Sequence, residues 1–233
     1  MKVLIALSIL ILLATAMVFA AQAWVGRLYS NGPNDWEFHL FNGDVYQIVN
    51  PDFSGIDKHR GQTVKLYGTL NGDELTVSKL ETVMPTDLLK RLFPTAGGFS
   101  EEEGDPPHFD VYATDPRANP SAKIIGFAFW TADVAPYDEG YSGVIYMLAG
   151  MDISGKLTGV IMVGDPEPYG NRSIDRPQFV AQFKGKSIRA PFKVGGDIDA
   201  VSGATITVEG ATRAIKDSAR QVAMKFLTPD AVR

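Results

Sequence analysis

The strongest chemical signal in the sequence is the stretch 199–205, which consists mostly of small residues and ends in a threonine hydroxyl. Small side chains let a bulky group approach the backbone closely. The stretch leads directly into a predicted helix, and the free N–H groups and positive dipole at a helix start favour a bound phosphate. It therefore predicts a phosphate-accepting turn with Thr205 as the nucleophile. The plain alternative is that Thr205 or Thr207 only caps the helix.

The helix after this turn is predicted from its periodicity. Apolar residues recur every three or four positions, which places them on one face. The residues of this face are Val208, Ala211, Ile215, Ala219, Val222 and Phe226. We expect this face to pack on a sheet and so to fix the position of the turn.

The same stretch matches the family pattern Asp-x-x-Ser/Thr-Gly-Ala-Thr/Ser at Asp199, Ser202, Gly203, Ala204 and Thr205. It resembles the flavinylation motif of extracytoplasmic FMN-binding domains. These occur in the NqrC protein of the sodium-pumping NADH:quinone reductase, the RnfG protein of the Rnf complex and the nitrous-oxide-reductase maturation protein. The resemblance implies that a Mg-dependent flavin transferase esterifies the FMN phosphate onto Thr205. Asp199 and Ser202 would serve recognition by the transferase or hold the turn.

The resemblance covers roughly residues 88–226 and is closest to the nitrous-oxide-maturation branch. The matching segments follow the order of that branch: Leu92-Phe93-Pro94, Gly140-Tyr141-Ser142-Gly143, Gly150-Met151-Asp152 with Gly155, and Glu167-Pro168. The family likeness implies that Gly140, Tyr141, Ser142 and Gly143 lie against the flavin and that Glu167 belongs to the cofactor site. A glycine-rich strand entry with a core tyrosine is the structural alternative for this loop.

One departure from the family concerns a histidine. Many relatives carry it shortly before the Glu-Pro or Glu-Thr pair, whereas this chain has Val163-Gly164-Asp165. A role of that histidine in flavin contact therefore does not carry over. Lys186, in a Gly-Lys-Ser sequence that lacks the first glycine of a P-loop, is a second candidate for contact with the flavin phosphate.

The composition restricts the possible chemistry. The chain has 233 residues, 45% of them hydrophobic, and a net charge of −5. These values predict globular domains and argue against a nucleic-acid partner. The absence of cysteine excludes disulfides, Cys-ligated clusters, thiol catalysis and a CxxCH haem site. A flavin is consistent with all of these exclusions.

No other group of residues predicts catalysis or a metal site. His39, His59 and His108 have no ligand spacing, and no acid pair or Ser/His/Asp set has a diagnostic arrangement. The Glu101-Glu102-Glu103 run is interpreted as a solvated loop face. We therefore expect no catalytic residue and no metal ligand, and the sequence leaves open whether the chain is an enzyme by itself.

The N-terminus predicts export from the cytoplasm. Residues 3–21 are almost entirely apolar and follow Met1-Lys2. They are long enough to span a bilayer, and Ala21-Gln22-Ala23 is also compatible with signal cleavage. An uncleaved anchor is favoured because the apolar run exceeds a usual signal core. Residues 1–23 are therefore predicted as a signal peptide or anchor in the inner membrane, with the remainder on the periplasmic side.

Residues 24–83 predict a small β domain. Short strands over 25–29, 36–41, 45–49, 63–70 and 74–80 are separated by Asn-Gly turns, which favours an OB-like barrel. Its aromatic residues are expected in the core: Trp24, Trp36, Phe38, Tyr46 and Tyr67.

Residues 84–233 predict an α+β domain. The boundary segment 84–94 contains a short helix that Thr86 or Asp87 caps and that ends before Pro94. Strands follow at 109–112, 124–130, 144–151 and 157–163, and the helix after the 199–205 turn closes the chain. The whole fold is thus predicted as α+β: a membrane segment, an OB-like barrel, and an FMN-binding domain with an antiparallel sheet and a C-terminal helix.

Together these features predict a membrane-tethered extracytoplasmic flavoprotein that transfers electrons within a membrane redox complex. Its partners would be the subunits of that complex, a flavin transferase during maturation, and the bilayer through residues 3–21. A non-redox accessory or assembly subunit that keeps the fold is the alternative. A ligand-binding protein built on the barrel is the third, supported by the strand pattern alone. The electron donor and acceptor do not follow from the sequence.

Overall fold

The computed structural model describes residues 22–41, 44–53, 55–136, 140, 144–164, 174 and 176–232. Within these residues the chain is α+β: a five-stranded barrel, a five-stranded antiparallel sheet and a long helix near the C-terminus. The predicted fold class is confirmed to this extent. The predicted membrane segment 3–21 lies outside the described residues, and none of the described helices is long and apolar enough to cross a bilayer.

The barrel is formed by the alternating segments that the sequence predicts. Its strands are β1 (Gln22–Gly32), β2 (Asp35–Leu40), β3 (Val45–Ile48), β4 (Thr63–Asn71) and β5 (Glu74–Thr82), with a 3-10 helix at Ile56–His59. The strand order β1-β2-β3-β5-β4 closes through the antiparallel pair β1–β4, and β3 pairs with β5 in parallel. The Asn71-Gly72-Asp73 hairpin joins β4 to β5 as predicted.

The barrel core contains most of the aromatic residues expected there. Trp36 and Phe38 are buried, and Trp24 and Tyr46 pack at its margin. The prediction for Tyr67 is wrong. Its neighbour Leu66 points inward, so Tyr67 lies on the outer face, where Lys65 and Lys79 sit over its ring and Glu81 accepts its hydroxyl hydrogen at 3.0 Å.

The second sheet has the order β10-β9-β8-β7-β6 and is antiparallel throughout. Its strands are β6 (Gly98–Phe99), β7 (Phe109–Tyr112), β8 (Ile124–Trp130), β9 (Tyr146–Asp152) and β10 (Leu157–Gly164). The helices of the described chain are α1 (Thr86–Leu92), α2 (Thr131–Val134), α3 (Pro177–Ala181), α4 (Thr205–Phe226) and α5 (Pro229–Val232).

Both faces of this sheet are covered, which explains why β8 and β9 are almost continuously apolar. On one face, Phe127, Phe129 and Met147 join the core formed with α4. The predicted apolar face of α4 is confirmed. Five of its six residues are buried and the sixth, Phe226, packs at the edge of the core; the five are Val208, Ala211, Ile215, Ala219 and Val222. On the other face, α1 and Phe93 cover the sheet.

Two glycines of the sheet leave room for the Phe93 ring to pack against the strand backbone. A Cβ added to Gly126 of β8 or Gly150 of β9 would lie 2.7 or 2.8 Å from the Phe93 ring. The ring therefore rests directly on the backbone of both strands. Two of the segments on which the family likeness depends, 92–94 and 150–152, thus contact each other.

The barrel contacts the second sheet through a buried arginine. Arg27 of β1 has no solvent exposure and pairs with Asp133 of α2 and, at 3.3 Å, with Glu102. Its guanidinium also lies over the Trp130 ring at 4.1 Å. The interpretation of Glu101–Glu103 as a wholly solvated face is therefore wrong for Glu102.

Candidate functional site

Thr205 is the first residue of α4, and its side chain is exposed. The N-cap is Ala204, which makes no side-chain hydrogen bond. Thr207 lies two residues inside the helix and is buried. The alternative in which either threonine N-caps the helix is therefore wrong, and the Thr205 hydroxyl faces solvent at the helix start.

The turn before α4 places small residues around that hydroxyl. The Ala204 N–H donates to the Val201 carbonyl oxygen at 3.1 Å, which closes a four-residue turn. Gly203 in this turn has φ of 79°, a left-handed conformation that favours glycine. A Cβ at Gly203 would meet no atom within 4 Å, and Ser202 is also exposed. Open space therefore adjoins Gly203, two residues before Thr205.

The start of α4 is electrostatically suited to an anion. The first amides of a helix lack partners inside it, and Ala204 supplies no side-chain acceptor for them. No acidic residue lies in the first turn of α4. A phosphate on Thr205 would thus meet the positive end of the helix dipole without a competing carboxylate from that turn.

A cleft of about 520 Å³ adjoins the upstream part of the motif. The Asp199 N–H donates to Gln182 Oε1 at 2.7 Å, while the Asp199 side chain is exposed. Arg176, just before α3, contributes a cation to the same cleft. Its lining consists of Arg176, Gln178, Phe179, Gln182, Asp199 and Val201. The size, and a lining that combines apolar surface with a few polar side chains, suit a nucleotide-sized ligand.

Lys186 is committed to a different contact from the one expected. Its Nζ lies 3.1 Å from Asp197 Oδ2 and 2.9 Å from the Asp197 carbonyl oxygen. Burial alone would raise the pKa of Asp197, but hydrogen bonds from the Lys193 N–H, from Lys186 and from the Phe192 N–H hold this pKa below its ordinary value. Lys186 therefore pairs with a carboxylate in this structure.

The predicted site residues fall into two groups. The structure brings Asp199, Ser202, Gly203, Ala204 and Thr205 into one exposed turn at the start of α4. Gly140 is described and half-buried, and its role at the cofactor stays a prediction. The other predicted residues lie outside the described ones: Tyr141, Ser142, Gly143 and Glu167.

Sequence reasoning missed Arg176 and Gln182. Neither belongs to a motif, and no fixed spacing links them to 199–205. Only the packing of α3 beside the turn brings them to the cleft. No signal in the sequence alone would have identified them.

Comparison with known proteins assigns the class. Residues 140–220 match the FMN-binding domain family. The chain belongs to the FMN-binding family that includes the G-type subunits of ion-translocating oxidoreductase complexes. The predicted family is thereby confirmed, whereas the predicted position nearest the nitrous-oxide-maturation branch stays a prediction.

The individual relatives are all similar over part of the chain. The G-type component of the ion-translocating oxidoreductase complex of Vibrio atlanticus (strain LGP32) is 30% identical over 158 residues, 63% of this chain and 72% of that protein. The corresponding protein of Pseudomonas aeruginosa (strain UCBPP-PA14) is 33% identical over 115 residues, 45% of this chain and 54% of the relative. The chain therefore spans about half the length of the Pseudomonas protein.

Proposed function

We propose that this chain carries FMN as a phosphoester on Thr205 and transfers electrons within a membrane redox complex. The observation that carries the proposal is the exposed Thr205 hydroxyl at a helix start whose N-cap, Ala204, has no side-chain acceptor. Membership of the FMN-binding family supports the identity of the cofactor. The names of the relatives, each a component of an ion-translocating oxidoreductase complex, support the setting.

The residues around Thr205 fit an FMN phosphate and its chain. We expect the phosphate to lie at the start of α4, and the open space at the neighbouring Gly203 leaves the turn accessible to it. Arg176 offers a cation, and Gln178 and Gln182 offer amides, in the adjoining cleft. These three side chains are our candidates for contacts with the phosphate or the ribityl hydroxyls.

The attachment step has a simple balance. The Thr205 Oγ1–H bond is replaced by an Oγ1–P bond, so the protein gains the mass of FMN minus water. A phosphate monoester is a poor electrophile, and a pyrophosphate-activated donor such as FAD would supply the FMN group. Its pyrophosphate bond breaks, AMP leaves, and the Thr205 proton passes to a base. The chain's contribution is to present the hydroxyl and to place a positive helix end beside the new phosphate.

Bound FMN would supply the redox chemistry, and the protein would set its position, electrostatics and access to solvent. A covalent link suits an extracytoplasmic compartment, where lost cofactor is not readily replaced. We place the chain there through residues 3–21, as an anchor in the inner membrane. Protease accessibility of the folded part in spheroplasts, but not in intact cells, tests this location.

The test of the proposal is an intact mass of the chain produced with a flavin transferase, together with flavin fluorescence of the denatured protein. We expect an added mass of FMN minus water in the wild type and in Thr205→Ser, and none in Thr205→Val. Thr76→Val, at an exposed threonine of β5, is the matched control and should be modified fully. Modification that persists in Thr205→Val would overturn the proposed site.

One observation favours a second candidate, a non-redox accessory protein with the same fold. The sequence Val163-Gly164-Asp165 lacks the histidine that many relatives place before the Glu-Pro pair. A colourless wild-type protein, obtained from a host whose transferase modifies its own acceptor, would favour this candidate. A yellow protein whose colour survives denaturation would exclude it.

A further inference from the structure

Two side chains of one short segment, Gln182 and Lys186, hold the chain that leads into the 199–205 turn. Lys186 Nζ donates to the carbonyl oxygen and to the carboxylate of Asp197, at 2.9 and 3.1 Å. The Asp199 N–H donates to Gln182 Oε1 at 2.7 Å. The two contacts therefore fix the residues on either side of Ile198, which is itself fully buried.

The Asp197 carboxylate also closes the loop in front of it. Oδ2 accepts the Phe192 N–H at 3.2 Å, and Oδ1 accepts the Lys193 N–H at 2.6 Å. Phe192 has φ of 54°, a left-handed conformation that is rare for a residue other than glycine. Such a conformation persists only where the surroundings hold it. Asp197, paired with Lys186, contributes to this through both amide contacts, together with the packing of the buried Phe192 ring on Phe183.

The turn itself has little packing of its own. Ala200, Ser202 and Gly203 are exposed and Val201 packs partly on the core, whereas Ile198 before the turn and Ala204 near its end are buried. The turn is thus a largely exposed segment that connects two fixed points of the chain. One point is the start of α4, and the other is the segment that Lys186 and Gln182 hold. The position of the segment that Lys186 and Gln182 hold therefore determines the conformation of the turn before Thr205.

We propose that Lys186, Asp197 and Gln182 are positioning residues for the modification of Thr205. They hold the turn in the conformation that a flavin transferase needs to bring the donor phosphorus in line with the Thr205 hydroxyl. The proposal rests on the proposed function. It assigns these residues no contact with the reacting atoms; they act through the backbone of 197–199. Transfer of a phosphoryl group depends mainly on such positioning.

The test compares initial rates of FMN attachment to the full chain by purified transferase with Mg²⁺ and FAD, followed by intact mass. Lys186→Met removes the cation, and we expect its rate to fall roughly ten- to a hundredfold, the size of loss that a misplacement of reacting groups by about 1 Å produces. Asp197→Asn and Gln182→Ala should fall in the same direction. Lys186→Arg keeps a donor and should recover most of the rate. Lys184→Met, at an exposed lysine of the same segment, should react like the wild type.

A second control separates positioning from general stability. Val222→Ala opens a small cavity in the core of α4, away from the turn, and should lower stability without lowering the attachment rate. Hydrogen exchange of the Phe192, Lys193 and Asp199 amides, measured without flavin, should accelerate in Lys186→Met and stay unchanged in Val222→Ala. An unchanged exchange or attachment rate in Lys186→Met would overturn the proposal, as would an equal loss of rate in Val222→Ala.

The same experiment distinguishes failure of the underlying function. A wild-type chain that stays unmodified by a transferase active on its own acceptor overturns the proposed function and the positioning role with it. A wild type that is modified at the same rate as Lys186→Met overturns the positioning role alone.

Discussion

Arg27 Nη1 of the barrel lies 3.3 Å from Glu102 Oε2, in the segment between β6 and β7. The same guanidinium pairs with Asp133 of α2, so that one buried cation contacts acidic side chains from two separate segments. This arrangement ties the barrel to α2 and to the segment between β6 and β7. It also makes the contact sensitive to any change that leaves a charge unpaired.

Replacement of Arg27 by Met should destabilise the protein by about 3–5 kcal/mol, because it leaves the largely buried Asp133, and above a pH of about 7 also the Glu102 carboxylate, without a cationic partner. Arg27→Lys should recover only part of the loss, since an ammonium does not form the same fork to two partners. Urea unfolding measures both. Arg117→Met, at an exposed arginine, is the control and should change stability little. A loss in Arg27→Met no larger than in Arg117→Met would contradict the interpretation.

The same cluster predicts a pH dependence of stability. Burial, with a contribution from the charge of Asp133, raises the pKa of Glu102 to about 7, although Arg27 opposes the shift. The folded state therefore holds a proton that the unfolded state has lost, between the ordinary glutamate pKa of roughly 4.3 and a pKa of about 7. The free energy of unfolding should fall as pH rises through this window, by a few kcal/mol at most, and stay level above it.

Glu102→Gln isolates this effect, because it keeps an acceptor for Arg27 but cannot ionise. Its stability should fall less than that of the wild type across the same window, and the dependence that remains comes from Asp133, whose pKa is also raised by burial. Urea unfolding at a series of pH values from about 4 to about 8, which bracket the two pKa values, compares the two proteins. Parallel profiles would show that Glu102 does not titrate in this way.

Gly150→Ala should destabilise the second sheet by roughly 1–3 kcal/mol, the usual range for overpacking a core. The new methyl group would lie 2.8 Å from the Phe93 ring and 2.4 Å from Thr158 Oγ1, so that one of them must move. Gly32→Ala is the matched control, since a methyl there meets no atom within 4 Å and φ is not positive. Equal thermal unfolding midpoints of the two variants would refute the inference that Phe93 packs where only a glycine at position 150 leaves room.

Local sequence patterns predicted most of the fold. The barrel strands were predictable from alternating apolar and polar residues and from Asn-Gly turns, and α4 from apolar residues at every third or fourth position. Each of these patterns is complete within a short stretch of sequence, so that it can be recognised without knowing the tertiary structure. Alternation also explains the error at Tyr67. Its side chain is aromatic, but its position in the alternation along β4 directs it to the outer face of the barrel. The burial of Arg27 had no such signal, since its partner Glu102 is 75 residues away and lies in an acidic run.

The candidate site likewise contains residues that the sequence predicts and residues that only the tertiary structure brings to it. Thr205 and its turn were predictable because the motif is contiguous. The Lys186–Asp197 pair and Arg176 were not, since only the packing of α3 and its following turns beside 197–201 brings them together. Contacts that depend on tertiary placement leave no spacing in a single sequence.

Gly203→Ala tests whether the open space at the turn serves the cofactor. At φ of 79°, an alanine destabilises the protein by about 1 kcal/mol through its backbone alone. Gly72→Ala in the barrel hairpin has the same liability, with φ of 64° and no atom within 4 Å of a new methyl group, but lies far from Thr205 in the sequence and in another unit of the fold. Both variants should lose similar stability in urea.

The two glycine variants should differ in FMN occupancy measured by intact mass. An alanine disfavours the left-handed conformation of residue 203 and would shift the turn before Thr205, so we expect slower attachment in Gly203→Ala. Attachment to Gly72→Ala should match the wild type, because its destabilisation does not reach the acceptor turn. Equal attachment rates in the two variants would mean that the turn tolerates the methyl group, and the space at Gly203 would then have no role in admitting the flavin phosphate.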